Sequence, residues 1–154
     1  MKERKPSTTA RNKVMDYLAR RDHSEKELRQ KLKRQYSSEE IEIAINYGKD
    51  RGWIPNDAAS RKALAVKAAE SLHCKKKGII YINSFLKKKG LPEVESNDEQ
   101  ELEKAQELVK NKYSLSEVTD SEEKRRLVAK LSRFLLSRGF RRNTIQQVIS
   151  RGRK

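Results

Sequence analysis

Lysine and arginine outnumber aspartate and glutamate by 37 to 22, and many of them fall in groups that could hold an anion. Lys75, Lys76 and Lys77 form one run and Lys87, Lys88 and Lys89 another, while Arg138, Arg141 and Arg142 flank the pair Gly139-Phe140. Arg20 and Arg21 make a further pair, and Arg151, Arg153 and Lys154 crowd the tail. Ammonium and guanidinium groups attract phosphate, and a guanidinium can grip two oxygens at once. With a formal net charge of +15, the chain repels itself unless it meets a polyanion, of which nucleic acid is the usual one. Ribosomal, DNA-binding and polybasic membrane-binding proteins all share this signature, so charge selects a class of partner and not a function.

Chemistry beyond anion binding finds little footing. His73 and Cys74 adjoin, but neighbouring residues on a helix point in different directions, and His23 has no second ligand at metal spacing. No phosphate-binding glycine loop is present, so the chain is not expected to hydrolyse nucleotide. The reading is of a protein that is not an enzyme and takes no metal or cofactor. The acidic stretch from Glu93 to Glu107 reads as a solvated helix face rather than a carboxylate pair, and it could meet a basic surface on a protein partner. Tyr17, Tyr36, Phe85, Phe134 and Phe140 fall at core-facing spacing, whereas Tyr47, Tyr81 and Tyr113 are less constrained and one of them could stack on a base.

The elements that must position these residues read as helices throughout. The chain has 154 residues, about the size of one domain, with 38% charged against 34% hydrophobic residues, which suits thin helical layers better than a thick core. Only six glycines and three prolines interrupt it, and no stretch alternates apolar and polar as a half-buried strand would. Val14, Tyr17 and Leu18 share a helix face, as do Leu28, Leu32 and Tyr36, and then Ile41, Ala44 and Ile45. Ser24 with Glu27, Ser37 with Glu40, Asp120 with Glu123 and Asn143 with Gln146 have capping-pair spacing. Gly52, Trp53, Ile54 and Pro55 close this triplet, with Trp53 expected to plug the gap to the next unit.

A second unit begins near Asn56, with Leu64, Ala65, Ala68 and Leu72 on one face and Ile79, Ile82, Phe85 and Leu86 on the next helix. Lys75 to Lys77 are expected to open that helix, against its dipole, and Lys87 to Lys89 to end it. A helix of some fifteen residues would set the two clusters about 20 Å apart. The stretch from Leu91 to Ser96 is too short and acidic for a good third helix. A last unit carries Leu102, Ala105, Leu108 and Val109, then Leu127, Val128, Leu131, Phe134 and Leu135, then Ile145, Val148 and Ile149, with a loop from Ser114 to Asp120.

The middle helices repeat one motif: Leu28, Leu32 and Tyr36; Ile82, Leu86 and Gly90-Leu91; Leu131, Leu135 and Gly139-Phe140. In the first and third copies the aromatic precedes the next helix's first apolar residue by the same interval, Tyr36 to Ile41 and Phe140 to Ile145. The expected fold is all-α: three tandem three-helix repeats stacked into an elongated, curved body. A flexible N-terminus over 1–8 precedes a repeat over 9–54, a second over 55–97 with its third helix truncated, and a third over 98–151. Their net charges in chain order are +5 up to residue 53, +7 over 54–92 and +3 beyond.

The run from Tyr17 to Leu32, YLARRDHSEKELRQKL, resembles the first repeat of the RecX family, as do Tyr36, the acidic helix start Glu39-Glu40-Ile41 and the exit Gly52-Trp53. The resemblance continues through Phe134 to Phe140 and covers nearly the whole chain. It departs in three places. The glycine expected before Tyr36 is missing, the second repeat's third helix is curtailed at Pro92, and Asn56-Asp57-Ala58-Ala59 replaces the family's usual run.

The resemblance implies a regulator of the RecA recombinase that lies in the groove of the RecA–single-stranded DNA filament and limits ATP hydrolysis, strand exchange and growth, with a place in DNA repair, recombination and the SOS response. Its expected partners are the RecA filament and single-stranded, or also double-stranded, DNA. A helical-repeat nucleic-acid binder with no RecA role would look equally basic and stands as the alternative. The N-terminus opens no apolar stretch of signal or membrane length, and the lone Cys74 suits a reducing compartment, so a cytoplasmic monomer with no membrane partner is expected.

Overall fold

Helix-forming periodicity yields eight α-helices among the described residues: α1 (Ala10–Arg20), α2 (Glu25–Leu32), α3 (Ser38–Asp50), α4 (Ala58–Cys74), α5 (Ile79–Lys88), α6 (Asp98–Lys112), α7 (Ser121–Ser137) and α8 (Arg142–Gly152). This computed structural model describes residues 8–113 and 115–153. Residues 1–7 of the expected flexible start, Ser114 of the expected loop and Lys154 of the basic tail lie outside the described residues. The chain gathers into two compact units, one running up to Val66 and including Leu86–Pro92, the other made of Lys67–Phe85 and the chain from Glu93 onward.

In the first unit α1, α2 and α3 pack around Val14, Leu28, Leu32, Ile41 and Ile45, all buried. Thr9 caps α1 by accepting the Asn12 N–H, a cap that local spacing did not single out. Ser37 and Glu40 form the full reciprocal capping box at α3. At α2 only half of the expected box forms: Ser24 accepts the Glu27 N–H, but the Glu27 carboxylate turns to cations instead of back to the cap. The missing glycine before Tyr36 has a visible consequence. The Tyr36 N–H reaches the Leu32 carbonyl without a left-handed residue, whereas the equivalent Leu91 and Phe140 N–H groups reach back one residue further, to Leu86 and Leu135, past glycines at φ 69° and 88°. Those two turns are Schellman closures, and the first copy is a tighter substitute.

Trp53, expected to plug a gap to the next unit, is instead 46% exposed. Its neighbour Ile54, 1% exposed, goes into the first unit's core, seated so closely on Gly48 that a Cβ there would fall 2.6 Å from its Cδ1.

In the second unit α6, α7 and α8 enclose Leu102, Ala105, Leu131, Leu135, Phe140 and Ile145. The loop before α7 contains a short 3-10 turn, Leu115–Glu117, whose Leu115 is buried. Asn97 caps α6 and Asp120 caps α7. The Asn143 cap is not formed: α8 already begins at Arg142, and its N-cap Arg141 makes no side-chain capping bond. Residues 91–97 form no helix. There the Asn83 side-chain amide exchanges two hydrogen bonds with the Val94 backbone, at 3.0 and 3.2 Å, and so satisfies polar groups that a third helix would otherwise have paired.

The start of α5 meets the α7–α8 turn backbone to backbone. The Gly78 N–H donates to the Arg138 carbonyl at 2.8 Å and the Ile80 N–H to the Gly139 carbonyl at 3.0 Å. A Cβ on Gly78 would lie 2.3 Å from the Gly139 carbonyl carbon, a clash with backbone that no rotamer relieves. Gly78→Ala should therefore destabilise the protein by about 3 kcal/mol. Gly52→Ala, at φ 71° with nothing within 4 Å of the new methyl, should cost only about 1 kcal/mol of backbone strain. Urea unfolding midpoints of the two variants check the difference.

Candidate anion-binding surfaces

The basic residues singled out by sequence divide between the two units, and within each unit the structure sorts them by whether a carboxylate or carbonyl already engages them. In the first unit Glu27 is the organising group. Its carboxylate is 5% exposed and bonds Arg21 and Lys89, with Lys31 at 3.9 Å and the His23 ring at 4.0 Å. Burial pushes this carboxyl's pKa up, but the Arg21 and Lys89 hydrogen bonds and their positive charges outweigh burial and bring it down to about 2. Ser24, besides capping α2, donates its hydroxyl to the Lys89 carbonyl at 2.5 Å, so the turn carrying Lys89 is fixed at two points. His23 is buried, and burial lowers its pKa. Its Nδ1 lies 2.9 Å from the Arg21 carbonyl and its Nε2 3.1 Å from Lys31.

Arg21 and Lys89 are thus internally compensated. Arg20 at the end of α1 and Lys87 and Lys88 at the end of α5 are exposed. The same unit also contains basic residues outside the clusters named from sequence. A groove of 490 Å³ is lined by Lys26, Arg29, Lys33 and Arg61 above Pro55, Gly90 and Leu91. Lys26, Arg29 and Lys33 stand at helical spacing on one side of α2, a stripe that was legible in the sequence. Arg29 is held by Glu25 and Glu42, each at 2.8 Å.

In the second unit the first lysine run lies at the opposite helix end from the one expected. Lys75 to Lys77 do not open α5, which begins at Ile79; they follow the end of α4 at Cys74, where positive charge is favoured. Lys76 sits at φ 57°, the one described non-glycine residue in the left-handed region, and the Lys77 N–H closes the turn on the Leu72 carbonyl at 3.0 Å. Arg138 is brought against the same turn, donating to the Lys75 carbonyl at 2.5 Å and to that of Lys76 at 3.4 Å. Lys76 pairs with Glu107 at 2.6 Å, and the Lys77 ammonium lies 4.5 Å from the centre of the Tyr81 ring. Lys75, Arg141 and Arg142 are exposed, with Arg141 3.9 Å from Asp98. The helix after this turn has ten residues rather than fifteen, about 15 Å of rise.

The acidic stretch is not wholly a solvated face. Glu101 and Lys104, 1% and 5% exposed, form a buried ion pair. The Lys104 ammonium also donates to the Lys77 carbonyl at 2.6 Å and to His73 Nδ1 at 2.8 Å, while Glu101 accepts the Ile79 N–H at 2.9 Å and so caps α5. Burial draws the Lys104 pKa down against the pull of Glu101, and burial followed by the Lys104 charge lowers that of His73. A neutral His73 can therefore accept from lysine. Among the described residues no group of three His, Cys, Asp or Glu side chains is placed to hold a metal ion, and no helix is long and apolar enough to cross a membrane. The arrangement offers exposed positive charge beside a braced framework, which suits polyanion binding.

Two family models match the chain: RecX, first three-helix domain, over residues 10–47, and RecX, third three-helix domain, over residues 98–149. The regulatory protein RecX of Leptothrix cholodnii is 29% identical, with 97% of this chain and 92% of that protein covered. The regulatory protein RecX of Clostridioides difficile is 26% identical, with 92% and 67% covered. The crystal structure of RecX from Lactobacillus salivarius superposes with a TM-score of 0.72 at 22% identity, covering 92% of this chain and 93% of that one.

The carboxylate at the centre of the first unit gives a pH signature. A folded pKa near 2 against an ordinary 4.5 means that Glu27 contributes stability in full above about pH 4.5 and loses it as pH falls toward about 2. The linkage amounts to roughly 3 kcal/mol. Glu27→Gln should therefore be less stable than the wild type at pH 7, and the gap should close by about that amount between these limits, as read from urea unfolding at each pH.

Proposed function

The chain belongs to the RecX family, and from that premise we propose that it regulates RecA, binding the RecA–single-stranded DNA filament and limiting its ATP hydrolysis, strand exchange and growth. The observation that supports this most is that the family match falls in both units, over 10–47 and again over 98–149. In this reading the protein is a cytoplasmic monomer that binds rather than catalyses and needs no cofactor. Its segments 9–54, 55–97 and 98–151 are three repeats of one design.

DNA contributes affinity through the basic residues, in two grades. Arg20, Lys75, Lys87, Lys88, Arg141 and Arg142, all exposed, supply phosphate contacts. Arg21, Lys76, Lys77, Lys89 and Arg138, each engaged within its own unit, shape the surface and add to its field. A helical-repeat nucleic-acid binder with no RecA role is the second reading, favoured by the net charge of +15.

Salt separates the two, because phosphate binding weakens steeply with ionic strength. The rate of ATP hydrolysis by RecA on single-stranded DNA should fall severalfold when this protein is added below stoichiometry at a salt concentration that removes it from bare DNA. An unchanged rate, with tight binding to DNA at lower salt, would favour the general binder. On bare single-stranded DNA, Lys87→Gln with Lys88→Gln should lower the slope of log affinity against log salt by about 0.7 for each phosphate that the variant no longer neutralises. Lys89→Gln should instead lower the unfolding midpoint, since it strips a partner from Glu27.

A further inference from the structure

A cluster of aromatic and guanidinium groups in the first unit is not accounted for by packing. Gly52, at φ 71°, turns the chain so that the Trp53 N–H donates to the Gly48 carbonyl at 3.0 Å. Ile54 goes into the core, and Trp53, the only tryptophan, stays 46% exposed. Its indole meets the Tyr47 ring edge to face, with centroids 5.9 Å apart and planes at 70°, leaving indole surface open to solvent.

Tyr47 itself packs against two arginines. The guanidinium carbons of Arg51 and Arg11 lie 3.4 and 4.1 Å from its ring centre. Both guanidiniums therefore pack against the one phenol ring. Arg51 also lies 5.8 Å from the Trp53 ring centre. Stacking uses the flat faces of the guanidiniums and leaves their N–H edges available, and among the described residues neither arginine forms an ion pair. Ile43, four residues before Tyr47 on α3 and 60% exposed, continues the apolar strip on that face.

An open indole beside two uncompensated guanidiniums repels cationic ligands and matches a planar group that carries a phosphate. We infer that Trp53, with Arg11 and Arg51, forms a stacking site for an unpaired nucleobase of single-stranded nucleic acid, the base lying on the indole and the arginine edges meeting its flanking phosphates. Duplex bases are stacked on one another and cannot enter. The site rests on the reading that this chain meets single-stranded DNA.

Because Trp53 is the sole indole, its fluorescence reports the contact directly. Titration of the protein with oligothymidine should quench it, while the anisotropy of labelled oligothymidine measures binding independently. Trp53→Leu keeps an apolar side chain against Tyr47 and should bind oligothymidine about tenfold more weakly, and Trp53→Phe should retain most of the affinity. An abasic oligonucleotide of equal length, which offers phosphates without bases, should bind all three proteins alike. Binding by anisotropy without quenching, or a Trp53→Leu affinity equal to the wild type, overturns the stacking site and leaves DNA binding intact. No binding to either oligonucleotide overturns both.

Discussion

One buried carboxylate in each unit holds together positive charge that would otherwise push the chain apart. With a net charge of +15 and barely a third of its residues hydrophobic, the protein has little core with which to resist its own repulsion. Glu27 gathers Arg21 and Lys89 in the first unit, and Glu101 gathers Lys104 and caps α5 in the second. A buried carboxylate is costly unless it is paired and fully hydrogen-bonded. Each is paired with a cation, Glu27 with Arg21 and Lys89 and Glu101 with Lys104, and each joins segments distant in sequence: Lys89 lies 62 residues from Glu27, and Ile79 lies 22 from Glu101.

The same contacts decide which charge is left for a ligand. A lysine tied to a buried glutamate must give up that bond before it can meet a phosphate, whereas an exposed lysine at a helix end gives up only water. The clusters that look uniform as strings are therefore mixed. Within Lys87 to Lys89 the first two are exposed while the third is anchored, and within Lys75 to Lys77 one lysine pairs with Glu107 and another faces Tyr81. Glycine contributes by absence of bulk: where Gly78 meets Gly139, two backbones approach closely enough for direct hydrogen bonds, and this contact fixes the turn that presents Lys75 beside Arg138.

Local patterns gave the helices away. Apolar residues at three- and four-residue spacing marked all eight, and Ser37, Asp120 and the glycines after α5 and α7 lie where capping chemistry puts them. The failures share a cause. Asn143 had the spacing of a cap, but α8 had already begun. Trp53 had the size of a plug, but Ile54 matched the space over Gly48. Glu101 and Lys104 had the composition of a solvated face, yet both are buried.

What the sequence determined by itself was the helical class, the repeated motif of Leu28, Ile82 and Leu131, the family and the excess of positive charge, because each is written in residues within a few turns of one another. What only the tertiary structure decided was the state of each charged or aromatic side chain: whether Lys89 is anchored, whether Glu101 is buried, whether Tyr47 meets Arg11 and Arg51. The physical reason is that helix formation is satisfied by neighbours three and four residues away, whereas desolvation of a charge or a ring depends on groups that folding brings from other helices.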